Sequence, residues 1–282
     1  MIQKVFVTIV LTSLLLAQPA TGQHSFPYRL DSITEPMLLV GGTSLLLNGA
    51  AGQNEKIAMP VSELAKLRVE DLNGLDRIAT HWWNPRMNQI REVFEPSSAI
   101  LTTGGIALFG LYQRRKTDSW TNLKTLSIMY FEGLYLSTGA VAVSKSWFYR
   151  PRPYLYNQSL TLEERYRGGN NESFFSGNAN TLFFHATFFS QVFSDLFPES
   201  KLKPWIWTAT LGIAGYSAWL SVRSGMHFPT DVIAGAVAGS LTGLVIPALH
   251  RSGRSTGTKI TPLITSQGGG VVIQIPLYRP IR

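Results

Sequence analysis

LSVRSGMHFPTDVIAG (Leu220–Gly235) is the stretch that decides how this chain folds. His227 and Asp231 stand four residues apart with Pro229 between them. Proline disfavours helix in the residue before it and is pre-shaped for the first turn of a helix. Phe228 is therefore expected to be extended, with a helix starting promptly after it. The run that follows, VIAGAVAGSLTGLVIPAL (Val232–Leu249), is uniformly apolar and rich in small residues. Such a composition suits close packing of helices in lipid. A histidine placed before a helix whose first turn carries an aspartate is a credible nucleophile, with a carboxylate to hold its imidazole in the reactive tautomer. Taken alone, a histidine near a proline is usually structural, so its weight depends on what precedes it.

Two further stretches precede it in order. KSWFYRPRP (Lys145–Pro153) places Lys145 and Arg152 seven apart, and SFFSGNAN (Ser173–Asn180) contains Ser176-Gly177-Asn178 before another apolar run. Phosphoryl transfer needs positive groups around the equatorial oxygens, a nucleophile in line and a proton for the leaving oxygen. Lys145 and Arg152 offer fixed charge, and the arginine fork matches phosphate oxygens. Ser176 and Gly177 fall where a helix begins, so backbone N–H groups and the positive helix end can face an anion, with Asn178 beside them.

In this order, interleaved with apolar helices, the three stretches resemble the motifs of the type-2 phosphatidic acid phosphatase and vanadium haloperoxidase superfamily. HFPTDVIAG (His227–Gly235) is the most specific piece. The resemblance implies His227 and Asp231 as the catalytic pair, and Lys145, Arg152, Ser176, Gly177 and Asn178 as the phosphate-binding set. It also exposes two departures. The family's second motif reads Pro-Ser-Gly-His, with its histidine protonating the leaving group; here those ends are Phe175 and Asn178. The family carries an arginine six residues before the nucleophilic histidine, where this chain has Ser221; Arg223 lies two residues out of place. Ser221 and Arg223 are accordingly left without a firm role. Asparagine cannot act as an acid, and general acid catalysis is typically worth on the order of 10²–10⁴ in rate. His185 lies seven residues beyond Asn178, roughly 10 Å along a helix, too far to replace it; a core polar residue is the simpler expectation.

Around these motifs the chain shows six apolar stretches: about Met37 to Ala51, Ser98 to Tyr112, Leu126 to Val143, Thr181 to Phe197, Trp205 to Leu220 and Val232 to Leu249. Bounded by Pro, Gly, Asn or charged clusters, they predict helices, several near the length that crosses a bilayer. Glu132, His185, Gln191 and Asp195 fall inside them and require partners. The polar segment from Gln53 to Pro96, with Trp82 and Trp83, predicts amphipathic surface helices. The expected fold is all-α: a six-helix bundle of the phosphatidic acid phosphatase type, membrane-embedded, followed by a short C-terminal hairpin or arm around VVIQIPL.

The first residues read as an export signal: Lys4, an apolar run from Val5 to Ala17, then Ala20-Thr21-Gly22. The expected division is a signal peptide (1–22), a helical phosphatase-like domain (23–251) and a C-terminal tail (252–282). Export places the mature chain in a bacterial inner membrane or periplasm, with the pocket towards the exported side. Charged residues make up only 15% of the chain against 45% hydrophobic, although the mean hydropathy of +0.08 is low for a bundle of spanning helices. The net charge of +8 suits anionic partners, and with no nucleic-acid module present these are a phosphorylated lipid or small phosphoester and the membrane, not nucleic acid. There is no cysteine, which excludes disulfides, thiolate catalysis and cysteine metal sites; no cofactor or metal ligand set is read.

The function expected from these features is hydrolysis of a lipid phosphate or diphosphate through a phosphohistidine intermediate, with activity impaired by the two departures. The alternative is an inactive relative that binds phosphate or lipid. Haloperoxidase chemistry leans on the same missing acid and arginine and ranks last.

Overall fold

The computed structural model describes residues 26–31, 34–54, 59–117, 120–166, 170–252, 259–265 and 268–274; the expected signal peptide lies outside them. Among the described residues, six long helices make up the fold: α1 (Thr34–Asn54), α2 (Pro85–Thr117), α3 (Thr121–Trp147), α4 (Gly177–Leu196), α5 (Lys203–Arg223) and α6 (Pro229–His250). They correspond one to one with the apolar stretches and run longer, because polar end turns remain helical. Helices α3 and α4 are central. α1 packs on α3, and α4 is held between α5 and α6 with α2 alongside.

Local chemistry sets the helix starts. Ser176 caps α4, its hydroxyl accepting from the Ala179 N–H at 3.3 Å. Phe228 is extended (φ −73, ψ 155), Pro229 opens α6, and the Asp231 carboxylate accepts the Phe228 N–H at 2.8 Å. Glycines at 235, 239 and 243 lie four apart on the face of α6 that meets α4. A Cβ at Gly239 would collide with the Asn180 carbonyl oxygen, so the two backbones approach as only glycine permits.

The core between the helices is aromatic. Phe109, Phe184, Phe188, Phe189 and Phe193 are fully buried, with Phe109 and Phe189 stacked at 4.8 Å. His185 is a core residue, its Nε2 3.1 Å from the Tyr130 hydroxyl. Asp195 accepts from Tyr28, Gln191 and Arg251, and Glu132 faces His250. Helices α3 and α6 are each long and apolar enough to cross a membrane. On α6 the outward stripe Ile233, Val237, Leu241, Leu244 and Val245 is exposed.

One expectation changes. The polar segment does not form amphipathic surface helices: residues 59–84 make only single-turn helices and loops, and 85–96 are the first turns of α2, which continues through Pro96. A proline inside a helix costs one bond to the carbonyl four residues back, a loss that a helix of 33 residues tolerates. Of the hairpin or arm expected at the C-terminus, the hairpin is found: Lys259–Thr265 (β1) pairs antiparallel with Gly268–Gln274 (β2).

Candidate active site

His227 lies in the turn between α5 and α6. Gly225 makes that turn possible: its φ of +76 and the Trp82 carbonyl packed against it exclude a side chain. The His227 N–H then donates to the Ser221 carbonyl at 3.2 Å. The imidazole is buried, with Nδ1 2.8 Å from the Ser173 carbonyl oxygen. A carbonyl can only accept, so Nδ1 carries the proton of the neutral ring and Nε2 keeps its lone pair. That lone pair faces Nη1 of Arg152 at 3.5 Å.

The tautomer is thus set by Ser173, not directly by Asp231 as the sequence suggests. Asp231 Oδ2 is 3.9 Å from Nδ1 and already accepts the Ser173 hydroxyl at 2.5 Å and the Phe228 N–H. One residue, Ser173, therefore links the carboxylate to the ring: its hydroxyl is held by Asp231 while its carbonyl holds the imidazole. Asp231 is in turn paired with Arg150, whose guanidinium also reaches Asp76 at 2.6 Å and lies 4.5 Å over the Phe228 ring. Asp76 binds the Thr230 hydroxyl at 2.7 Å and its N–H at 3.1 Å. Burial pushes the Asp76 carboxyl up, but hydrogen bonds from Thr230, Asn73 and Arg150 outweigh it and hold the group below its ordinary range.

Three cations bear on the imidazole. Arg152 is buried, anchored by Nη1 to the Met226 carbonyl at 2.9 Å and by its N–H to the Asn170 carbonyl at 2.9 Å. Lys145 stands in the last turn of α3 with Nζ beside Gly177. Arg91, from the second turn of α2, is the third; its side chain is only 12% exposed. Burial, then the charges of Arg152, Lys145 and Arg91, hold His227 well below the ordinary imidazole range. Burial likewise lowers Arg152. The structure thus brings His227, Arg152 and Lys145 to one place, next to the start of α4, where Gly177 and Asn178 occupy positions whose N–H groups have no intrahelical acceptor.

Residues 126–254 match the PAP2 superfamily. The match runs from the first turns of α3 to just past the end of α6, a little under half of the chain. The chain is also similar to the crystal structure of the first transmembrane PAP2 type phosphatidylglycerolphosphate phosphatase from Bacillus subtilis, at 19% identity over 76% of this chain and 96% of that one, with a TM-score of 0.46. No curated protein matches it.

Within the matched stretch the two departures have defined surroundings. Asn178 is buried; its Oδ1 accepts the Ser217 hydroxyl at 2.8 Å, while its Nδ2 has no partner among the described residues. A buried amide donor without an acceptor is a costly feature unless a ligand supplies one. Ser221 turns its hydroxyl back to the Ser217 carbonyl at 3.1 Å. Arg223 stacks on Trp82 at 4.5 Å and is not among the charges that bear most on His227.

Sequence reasoning missed Ser173, Arg150, Asp76 and Arg91. The first two lie inside the quoted motifs and differ from their neighbours by nothing visible in one sequence. Asp76 and Arg91 come from the polar segment ahead of the matched stretch, which folds over the pocket end: Trp83 packs on Tyr154 at 5.1 Å. Chemically, the pocket presents cations, amide donors and one imidazole lone pair. Such a set suits a tetrahedral oxyanion and repels a metal cation.

Proposed function

We propose that this protein hydrolyses a phosphorylated lipid through a phosphohistidine on Nε2 of His227, and that it favours diphosphates over phosphomonoesters. The observation carrying this is the unprotonated Nε2 held 3.5 Å from Arg152 in a buried, cation-lined pocket. Lys145, Arg152 and Arg91 neutralise the equatorial oxygens, and the N–H groups opening α4, with the Asn178 amide, take further contacts. Nε2 attacks phosphorus, the P–O bond to the leaving group breaks, and its electrons stay on that oxygen. Residue 178 offers no proton, so a leaving group that is already a stable anion departs most readily. Water then displaces Nε2 from phosphorus, releasing inorganic phosphate and returning a proton to solvent.

A lipid substrate is supported by the surroundings. Trp147, Phe148 and Tyr149 follow Lys145 after one serine and are exposed, as aromatic residues at a membrane–water interface are. The apolar stripe on α6 is the face a bilayer would cover. With an export signal at the N-terminus, the pocket end faces the exported side of a bacterial inner membrane. A second reading, a phosphate- or lipid-binding relative without turnover, is favoured by the engagement of Ser221 with its own helix where the family has an arginine.

The test is phosphate release by detergent-purified protein from a lipid diphosphate and from phosphatidic acid, with His227→Ala as control. Faster turnover of the diphosphate, abolished in the variant, is expected. Equal turnover of both substrates overturns the leaving-group preference. No turnover, with thermal protection by vanadate, establishes the second reading instead.

A further inference from the structure

Three ionisable side chains meet at the opposite end of the bundle from the anion pocket. Glu35 lies in the first turn of α1, Glu132 midway along α3, and His250 at the end of α6. His250 is 19 residues from Asp231, roughly 28 Å along the helix, so the cluster is separate from the phosphate pocket. All three residues are buried, Glu132 completely.

Their geometry is that of a ligand set. His250 Nδ1 is 2.8 Å from the Ile246 carbonyl, which fixes a proton there and, in the neutral ring, turns the Nε2 lone pair inward. Nε2 stands 3.1 Å from Glu132 Oε2 and 3.3 Å from Glu35 Oε1, and the donor atoms of the three residues all lie within 4.8 Å of one another. A lone pair facing two carboxylate oxygens is repulsive unless positive charge lies between them. Two donors bound to one ion at about 2.0–2.1 Å each stand roughly 3.0–3.4 Å apart. A second observation points the same way: among the described residues the oxygens of the fully buried Glu132 have no hydrogen-bond donor apart from the facing His250 Nε2, which can donate only if the ring is charged. The Nδ1-to-carbonyl contact is also the support that orients metal-binding histidines.

We infer that Glu35, Glu132 and His250 bind one divalent transition-metal cation of the zinc type. Two carboxylates and one neutral imidazole carry a charge of −2, which such an ion cancels, whereas a proton on His250 leaves the buried cluster at −1. The ion joins α1, α3 and α6 at one point. The adjoining chain adds second-sphere support: the Asp31 N–H donates to Glu35 Oε1 at 2.6 Å, and the Arg29 N–H donates to the His250 carbonyl at 2.8 Å.

The test uses full-length, tag-free protein in detergent, stripped with chelator and titrated with Co²⁺, whose bound form absorbs in the visible, then with Zn²⁺ in competition. One Co²⁺ per chain, displaced by Zn²⁺, is expected, together with an upward shift of the thermal midpoint by Zn²⁺. Both effects should be lost in Glu132→Gln and in His250→Gln and kept in His227→Ala. Absence of the band and of the thermal shift in the unmodified protein overturns the inference and leaves a proton on His250 as the occupant. A band unchanged in Glu132→Gln, a near-isosteric replacement, also overturns it, because the metal then sits elsewhere. If His250→Gln fails to fold, the titration of the unmodified protein and of Glu132→Gln decides.

Discussion

Replacing Asn178 by histidine tests the leaving-group argument most directly. Asn178 Oδ1 already accepts from Ser217 at 2.8 Å, so an imidazole Nδ1 can inherit that contact and direct Nε2 onward from the start of α4. A positioned general acid contributes on the order of 10²–10⁴ in rate, about 3–5 kcal/mol of barrier. That gain falls on substrates that need a proton. Turnover of a phosphomonoester such as phosphatidic acid should rise by on the order of 10²-fold, and turnover of a lipid diphosphate by less than about 10-fold. The assay is inorganic phosphate release from both substrates by Asn178→His and the unmodified protein, with folding followed by circular dichroism. The charge of Arg91 already bears on the imidazole, so no second change at Ser221 should be needed. Equal gains on both substrates, or no gain on the monoester in a folded variant, refute the reasoning.

Arg91→Ala should lower kcat/KM by on the order of 10²–10³, the effect of removing one donor to a developing anion. It should also move the acid limb of the kcat/KM profile upward from its position well below the ordinary imidazole range, because His227 loses a repelling cation; an unmoved limb places Arg91 outside the pocket. Asp76→Asn breaks a buried ion pair and should cost about 3–5 kcal/mol in chemical denaturation. Because the folded-state Asp76 carboxyl is held below its ordinary range, its stabilisation is complete at neutral pH and is lost as pH falls through the folded value. The variant should therefore show a flatter decline of Tm on the acid side. Gly239→Ala should lower Tm, since its Cβ meets the Asn180 carbonyl, whereas Gly212→Ala, with open space around it, should be neutral or raise Tm. Equal effects would deny the close approach of α4 and α6.

The helices were legible because each buries an apolar stretch bounded by recognisable stop signals, and the start of α6 was legible because Pro229 and Asp231 act on their immediate neighbours. What escaped the sequence is what depends on distant chain. Asp76 reaches Arg150 across 74 residues and Thr230 across 154, and no local pattern encodes either pairing. Arg91 hid in a charged segment that resembles any solvated face, and Pro96 disguised that segment as separate from α2. Ser173 shows a subtler limit. Its carbonyl, common to every residue type, takes the imidazole proton that residue-type reasoning assigned to the carboxylate of Asp231.

The glycines of α6 have a consequence for how this protein can adapt. Ser176 caps α4 and Asp231 sits in the first turn of α6, and the missing side chains at 235, 239 and 243 bring those two helices into backbone contact just behind them. Sliding one rod along the other would drive carbonyl oxygens into Cα atoms. The gap between the start of α4 and His227 is therefore a fixed length, and under the proposed function room for a larger headgroup has to come from the loop before α4 and from the segment ahead of α2.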